Sequence, residues 1–130
     1  HCWFYHYILT DADIQQVDML LTRQNLRKLY ACFVKLPPFN GYRMPAPHKV
    51  QFGIINTNGD VLGYFHTDPT RIEVDVSNDT YLKISETLMH EMIHCLLYYH
   101  NHNDFDAHEK KFHKYANMIC NLYGFNKEEF

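Results

Sequence analysis

The sequence predicts a small α+β domain with the order helix, three strands, helix, helix. Apolar residues recur at helical spacing in the first third and in the last third of the chain. Between them, residues 49–76 alternate apolar and polar side chains and carry turn signals. We therefore predict an N-terminal helix, a three-stranded antiparallel or mixed sheet, a central helix and a C-terminal helix.

The first helix is predicted from Thr10, a favourable N-cap residue, to about residue 35. Its apolar positions keep helical spacing, and they are Ile14, Val17, Leu21, Leu26, Leu29, Tyr30 and Phe33. This pattern fits one long helix or two pieces that meet near Thr22. Prolines at positions 37, 38, 45 and 47 exclude a helix in the next segment, which is predicted to be a loop.

Three strands are predicted next. Residues 49–55 form the first, residues 56–59 give a hairpin signal, and residues 60–66 form the returning strand. The third strand, 71–76, alternates strictly, which predicts three residues inward and three outward. The inward set is Ile72, Val74 and Val76, and the outward set is Arg71, Glu73 and Asp75. At the edge of the sheet, this strand would be able to pair with an extended substrate.

The central helix is predicted from about residue 80 to residue 99, after three candidate N-caps at residues 77–79. A polar loop follows at residues 101–104. The last helix is predicted from about Asp106 to Tyr123, with Gly124 as its C-cap.

The central helix contains an HExxH motif, residues 90–94. Side chains four residues apart lie on one helix face, about 6 Å apart along the axis, so His90 and His94 are able to bind one metal ion. Glu91 lies about 100° round the helix, beside that ion and not on it. The neighbouring residues are apolar, which predicts burial, and burying these polar groups without partners would be costly. We therefore favour a zinc site with a catalytic base over two ordinary core histidines.

A catalytic zinc site usually has a third protein ligand. The downstream candidates are His100, His102, Asp104, Asp106, His108, Glu109 and His113. Leu97 lets the helix continue, which carries His100 out of reach of the metal. On the predicted last helix, His108 faces the central helix and is favoured, with Glu109 as the alternative. Asp104 is a candidate for orienting a ligand histidine.

The run from residue 63 to residue 112 resembles the SprT-like zinc metalloprotease domain, the family that includes Spartan. Residues 86–94 carry the most specific part of this resemblance; the other matching features are Gly63-Tyr64, residues 71–75, Asp104 and His108-x-x-x-Phe112. The family usually places glycine on both sides of the third histidine, whereas this chain has Ala107 and Glu109.

The resemblance implies a zinc endopeptidase. By that resemblance His90, His94 and His108 are the Zn²⁺ ligands and Glu91 is the catalytic residue. Glu91 would take a proton from the attacking water and pass it to the leaving amine. The donor that stabilises the oxyanion is left open among Tyr98, Tyr99, Tyr115 and His102.

Composition limits the partners of this domain. The 130 residues are predicted to form one domain, 1–130, and a net charge of −3 gives no broad basic field for nucleic acid. No stretch approaches the roughly 18 apolar residues of a membrane span, so no membrane is expected as a partner. Four separated cysteines, without a Cys-x-x-Cys pair, predict no disulfide framework and a reducing, intracellular location such as cytoplasm or nucleus. The oligomeric state stays open.

Three functions compete. A zinc endopeptidase that acts on protein or peptide substrates is favoured. The resemblance suggests a second function, a DNA-directed form of this peptidase. The third is an inactive zinc-binding domain that would serve as a peptide or protein interaction module. An intact Glu91 argues against the inactive domain. Two short basic clusters, at residues 23–28 and 110–114, predict only weak DNA binding, with a Kd of about 10⁻⁴ to 10⁻⁶ M at best.

Overall fold

The computed structural model describes residues 20–100, 104–128 and 130, and it has the predicted α+β class and order of elements. The start of the predicted first helix, residues 10–19, lies outside this part of the chain. The elements are α1 (Arg23–Phe33), β1 (Gln51–Ile55), β2 (Gly63–Thr67), β3 (Thr70–Asp75), α2 (Tyr81–Tyr99) and α3 (Lys110–Tyr123), with short 3-10 turns at Phe39–Gly41 and Pro47–Lys49.

Helix α1 begins after Thr22, whose backbone is extended and whose hydroxyl accepts a hydrogen bond from Asn25 N at 3.0 Å. Because Thr22 is the N-cap, the helix does not run through residue 22, and the prediction of one long helix is wrong. The residues predicted for its apolar face are buried, namely Leu26, Leu29, Tyr30 and Phe33. The Tyr30 hydroxyl donates to Pro45 O at 2.6 Å and so fastens the proline-rich loop to the helix.

The sheet is mixed, with the order β1-β3-β2. Strand β1 runs parallel to β3, and β2 runs antiparallel to it. The predicted hairpin between the first two strands is therefore wrong. Asn58 and Gly59 do adopt positive φ angles of 57° and 81°, but β3 enters between the strands that this turn connects. The hairpin of this sheet joins β2 to β3.

The central position of β3 corrects two further predictions. Both of its sides are already paired, so β3 has no free edge for a substrate. Ile72 and Val74 are buried as predicted, whereas Val76 is exposed and Asp75 is fully buried. The strand ends at Asp75, and the loops that carry Thr57 and Ser77 fold over the Asp75 carboxylate.

Helix α2 is the buried centre of the domain. Its N-cap is Thr80, whose hydroxyl accepts a hydrogen bond from Lys83 N at 3.2 Å, and not one of the three candidates at residues 77–79. The helix packs on β2 and β3 and also contacts α1 and α3. Most of its residues are buried, so it is held in place by the core on several sides.

Helix α3 begins at Lys110, four residues later than predicted. Residues 104–107 form a turn in which Ala107 N donates to Asp104 O at 3.0 Å, and Glu109 occupies the N-cap position. Gly124 is the left-handed C-cap, as predicted, with φ of 75°. The late start leaves His108 in the loop that precedes α3.

Cys95 and Cys120 are free and buried, whereas Cys32 is disulfide-bonded, an outcome that the sequence reasoning missed. A disulfide argues against the reducing compartment that the sequence analysis predicted. The intracellular location stays a prediction from the sequence. Over the part of the chain described above, no helix combines the length and the apolar character that crossing a membrane requires.

Candidate metal centre

Helix α2 and the loop before α3 bring three histidines together. His108 Nε2 lies 3.0 Å from His90 Nε2 and 3.2 Å from His94 Nε2. The ligand atoms of this group all lie within 4.8 Å of one another. The ring of Phe112, on the first turn of α3, packs against all three imidazoles at centroid distances of 4.7 to 4.8 Å. The three predicted ligands thus form one cluster that packs on the ring of Phe112.

The route by which His108 reaches the cluster differs from the predicted one. We expected a helix face to direct it, but the turn at residues 104–107 does so. The other candidates among the described residues are not part of this cluster. Asp106 lies close enough to Glu91 and His94 to raise the pKa of both. His100 is the exposed C-cap of α2 and packs against Tyr42, and Glu109 is exposed at the start of α3. His102 lies outside the described residues.

Main-chain oxygens orient the two helical histidines. His94 Nδ1 lies 2.7 Å from Phe105 O, and His90 Nδ1 lies 2.7 Å from Phe130 O. A main-chain oxygen only accepts hydrogen bonds, so each Nδ1 is the donor and each neutral ring directs the lone pair of Nε2 at the cluster. Asp104, predicted for this orienting role, instead pairs with Lys111 at 3.5 Å.

This arrangement fits a bound cation. Two Nε2 lone pairs point at His108 Nε2, and one proton on that atom is unable to serve both. A tetrahedral zinc ion with bonds of about 2.0–2.1 Å would place its ligand nitrogens roughly 3.3 Å apart, close to the two separations from His108 Nε2. Three neutral imidazoles are also a donor set that zinc accepts in sites with one open position.

Electrostatics favour the neutral, metal-binding form of the helical histidines. Burial, together with the neighbouring His94 and His108, lowers the pKa of His90 to about 4, although the hydrogen bond to Phe130 O acts in the opposite direction. Burial also lowers the pKa of His94, and His108 adds to that effect. Protons therefore compete weakly with a cation for these two rings near neutral pH.

Glu91 lies beside the cluster and is not part of it. Only 6% of this residue is exposed, and burial raises the pKa of its carboxyl to about 8, with a contribution from Asp106. In the described part of the chain, no donor forms a hydrogen bond with this carboxylate. Among the residues that the structure describes, Glu91 is thus a buried acid without a hydrogen-bond partner, next to a candidate metal site.

Gly63 allows β2 to approach Glu91. A Cβ atom at residue 63 would lie 3.3 Å from Glu91 Oε2, 2.9 Å from Thr87 Cγ2 and 2.8 Å from Glu73 O. The last two distances are too short for any ordinary Cβ contact. This steric limit depends on how β2 packs on α2, so the sequence indicates Gly63 only through the family resemblance.

His90, Glu91 and His108 together line an open cleft of about 690 Å³. A second cleft, of about 230 Å³, lies next to α3 and shares His90, His108 and Phe130 with the first. None of the tyrosines considered as oxyanion donors lines either cleft. The hydroxyl of Tyr99 contacts Thr70, and that of Tyr115 contacts Tyr42.

Asn78 is a residue whose role the sequence analysis missed. It is 2% exposed, and its side-chain amide donates to Leu62 O at 3.1 Å and to Asp75 O at 3.0 Å. Its Oδ1 accepts a hydrogen bond from the Thr87 hydroxyl at 2.7 Å. Asn78 thereby ties the segment before β2 to α2, one turn before Glu91. The sequence offers no signal for this, because an asparagine before a helix is more simply explained as an N-cap.

Comparison with known families agrees with this geometry. The model of the SprT-like family matches residues 38–129, a range that contains Gly63, Glu91 and the three clustered histidines. A search of curated proteins finds no match to the chain. Because the family match covers well over half of the sequence, this chain belongs to the SprT-like family.

Proposed function

We propose that this protein is a zinc-dependent endopeptidase in which Glu91 acts as the general base. The observation that supports this most strongly is the pairing of three converging imidazole nitrogens with a buried carboxylate that stays outside their cluster. A purely structural zinc site has no use for such a carboxylate, which costs free energy to bury. The arrangement therefore favours a hydrolase over an inactive interaction module.

The chemistry divides between the ion and the protein. Zinc held by His90, His94 and His108 would supply a Lewis acid that acidifies water and polarises a carbonyl. Glu91 accepts the proton of the attacking water and delivers it to the leaving amine. Burial alone favours protonated Glu91 near neutral pH, whereas a neighbouring cation favours the carboxylate that a base requires.

We propose that the substrate binds as an extended strand along β2, which replaces the role that the sequence analysis offered to β3. Strand β2 lies at an edge of the sheet, and its first residue, Gly63, borders Glu91. Hydrogen bonding alternates along an antiparallel pair, and Asp75 N bonds to Leu62 O. The main-chain groups of Gly63 and Phe65 are therefore directed to the free edge, where a polypeptide is able to pair with them.

Metal content and proteolysis together test this function. The purified protein should bind about one zinc per chain and cleave casein or an unfolded peptide. His90→Ala, His94→Ala and His108→Ala should each lose the zinc and the activity, while His100→Ala should keep both. Full zinc retention in His108→Ala would reject it as the third ligand and turn attention to Glu109. Zinc binding without cleavage would support the interaction module instead.

We further propose that DNA is at most a weak partner of this domain. The basic residues of α1 and α3 are exposed, but Lys111 is paired with Asp104 and the clusters are short. Only a few phosphate contacts are available, and non-specific affinity scales with their number. Adding single-stranded DNA to the protease assay at two salt concentrations should change cleavage little. Strong, salt-sensitive activation would show that DNA is a cofactor.

A further inference from the structure

Leu62 is an exposed apolar residue on the wall of the cleft that contains the metal centre. It is 51% exposed, and it lines the same cleft as His90 and Glu91. Single exposed leucines are common on protein surfaces and carry no meaning by themselves. The meaning here comes from the way in which the backbone of Leu62 is held and from its surroundings.

The backbone of Leu62 is fixed by two hydrogen bonds. Its carbonyl oxygen accepts from Asp75 N at 2.8 Å and from Asn78 Nδ2 at 3.1 Å. Asn78 is in turn bonded to Thr87 on α2, and the next residue along the chain, Gly63, packs against that helix. Leu62 is therefore exposed while its main chain is held at a defined position relative to Glu91, as a binding subsite requires.

The surroundings of Leu62 are suited to an apolar ligand. Val61 and Phe130 line the same cleft, and its volume of about 690 Å³ is ample for a side chain. Lys83, which also lines it, is paired with Asp79 at 3.2 Å. Glu86 lines the cleft as well, and its negative charge disfavours an acidic side chain there.

We propose that Leu62 and Val61 form a subsite that selects an apolar substrate side chain next to the scissile bond, with Leu62 as a specificity-determining residue. The proposal rests on the peptidase function proposed above. An extended substrate paired with β2 passes Leu62 and Glu91 together, because Leu62 directly precedes that strand. Its side chains close to the scissile bond then contact this wall of the cleft.

A peptide series with one varied position tests the subsite. Peptides that differ only in Leu, Ser, Lys or Asp at each position flanking the cleaved bond are compared by kcat/KM, with zinc-loaded protein. The parent should prefer Leu over Ser at one position by about 10- to 200-fold, the range that a hydrophobic pocket provides. Leu62→Ser should reduce this preference, measured as the ratio of kcat/KM for the Leu and Ser peptides, by at least about tenfold.

Leu122→Ser is the matched control. Leu122 is also 51% exposed, but it lies on α3 and does not line the cleft. Its substitution should leave the preference intact, and so should the conservative change Leu62→Ile. Zinc content and the melting temperature of each variant verify that folding is unchanged.

The outcomes separate this proposal from the proposed function. Cleavage of all peptides at equal rates, a preference for Lys or Asp, or an unchanged preference in Leu62→Ser would overturn the subsite and leave the peptidase function standing. A zinc-loaded parent that cleaves no peptide would reject both.

Discussion

Two buried carboxylates of this domain have opposite environments. Asp75, at the end of β3, is 0% exposed and accepts hydrogen bonds from Thr57 N at 2.6 Å, from the Thr57 hydroxyl at 2.8 Å and from Ser77 N at 3.0 Å. Glu91, on α2, is 6% exposed, and no donor from the described residues reaches it. Hydrogen bonds from Ser77 and Thr57 hold the pKa of Asp75 well below its usual range, whereas burial raises the pKa of Glu91 to about 8.

The difference lies in the hydrogen-bond donors that surround the two carboxylates. A buried carboxylate with several donors stabilises the segments that supply them, here the loops after β1 and β3. A buried carboxylate without donors destabilises the fold, and such groups are concentrated at functional sites. Asp75 therefore organises the loops beside the cleft, while the environment of Glu91 supports the role of general base that we propose for it.

The largest effect is expected from Glu91→Gln. This substitution removes the proton acceptor but keeps the shape of the side chain, so kcat/KM should fall by about two to four orders of magnitude. Zinc content and melting temperature should stay at the parent values, because Glu91 lies outside the histidine cluster and its carboxylate has no hydrogen-bond donor among the described residues. Cleavage at the parent rate would reject the hydrolase function.

Gly63→Ala tests the space that Glu91 needs. The new Cβ would lie 2.8 Å from Glu73 O and 3.3 Å from Glu91 Oε2, so β2 or the carboxylate must shift. Misplacement by about 1 Å costs up to about 100-fold in rate, and we expect a loss of about 10- to 100-fold with zinc retained.

Gly41→Ala is the control for Gly63→Ala, because a Cβ there meets no atom within 4 Å. It should cleave at the parent rate. Equal activity of the two alanine variants would show that β2 is able to move away from Glu91 without consequence.

Asp75→Asn should destabilise the fold in a pH-dependent way. The pKa of Asp75 is lowered on folding, so its contribution is complete above the unfolded value near 3.8 and is lost as the pH falls below that value. The difference in unfolding free energy between parent and variant should therefore be largest near neutral pH and shrink between about pH 4 and pH 2.

Denaturant unfolding over that pH range measures the effect. Asp60→Asn, an exposed change in the same loop region, provides the control and should change the unfolding free energy by no more than about 0.5 kcal/mol. A pH-independent loss in Asp75→Asn would mean that its charge contributes nothing to stability.

Thr87→Val should have the smallest effect. It removes the hydroxyl that donates to Asn78 Oδ1 at 2.7 Å and leaves that buried acceptor without this partner, which costs about 1–3 kcal/mol of unfolding free energy. Thr87→Ser keeps the donor and should lose less. If thermal or denaturant unfolding gives the same stability for both variants, Asn78 does not depend on this bond.

The sequence by itself determined the parts of the site that depend on local periodicity. His90 and His94 are four residues apart on α2, so a single helix brings them to one face and places Glu91 beside them. The elements themselves were also predictable, because apolar spacing, proline, glycine and N-cap residues act over a few positions. The placement of Gly124 at the end of α3 is one such case.

Only the tertiary structure decided the rest, because those features depend on contacts between distant segments. The insertion of β3 between β1 and β2 pairs strands that are not neighbours in the sequence. It also buries Asp75, which the alternating pattern predicted to face outward. The approach of His108 from a loop, the orientation of His90 by Phe130 O and the contact of Gly63 with α2 have the same origin. Periodicity specifies which face a residue occupies, but long-range packing determines what that face meets.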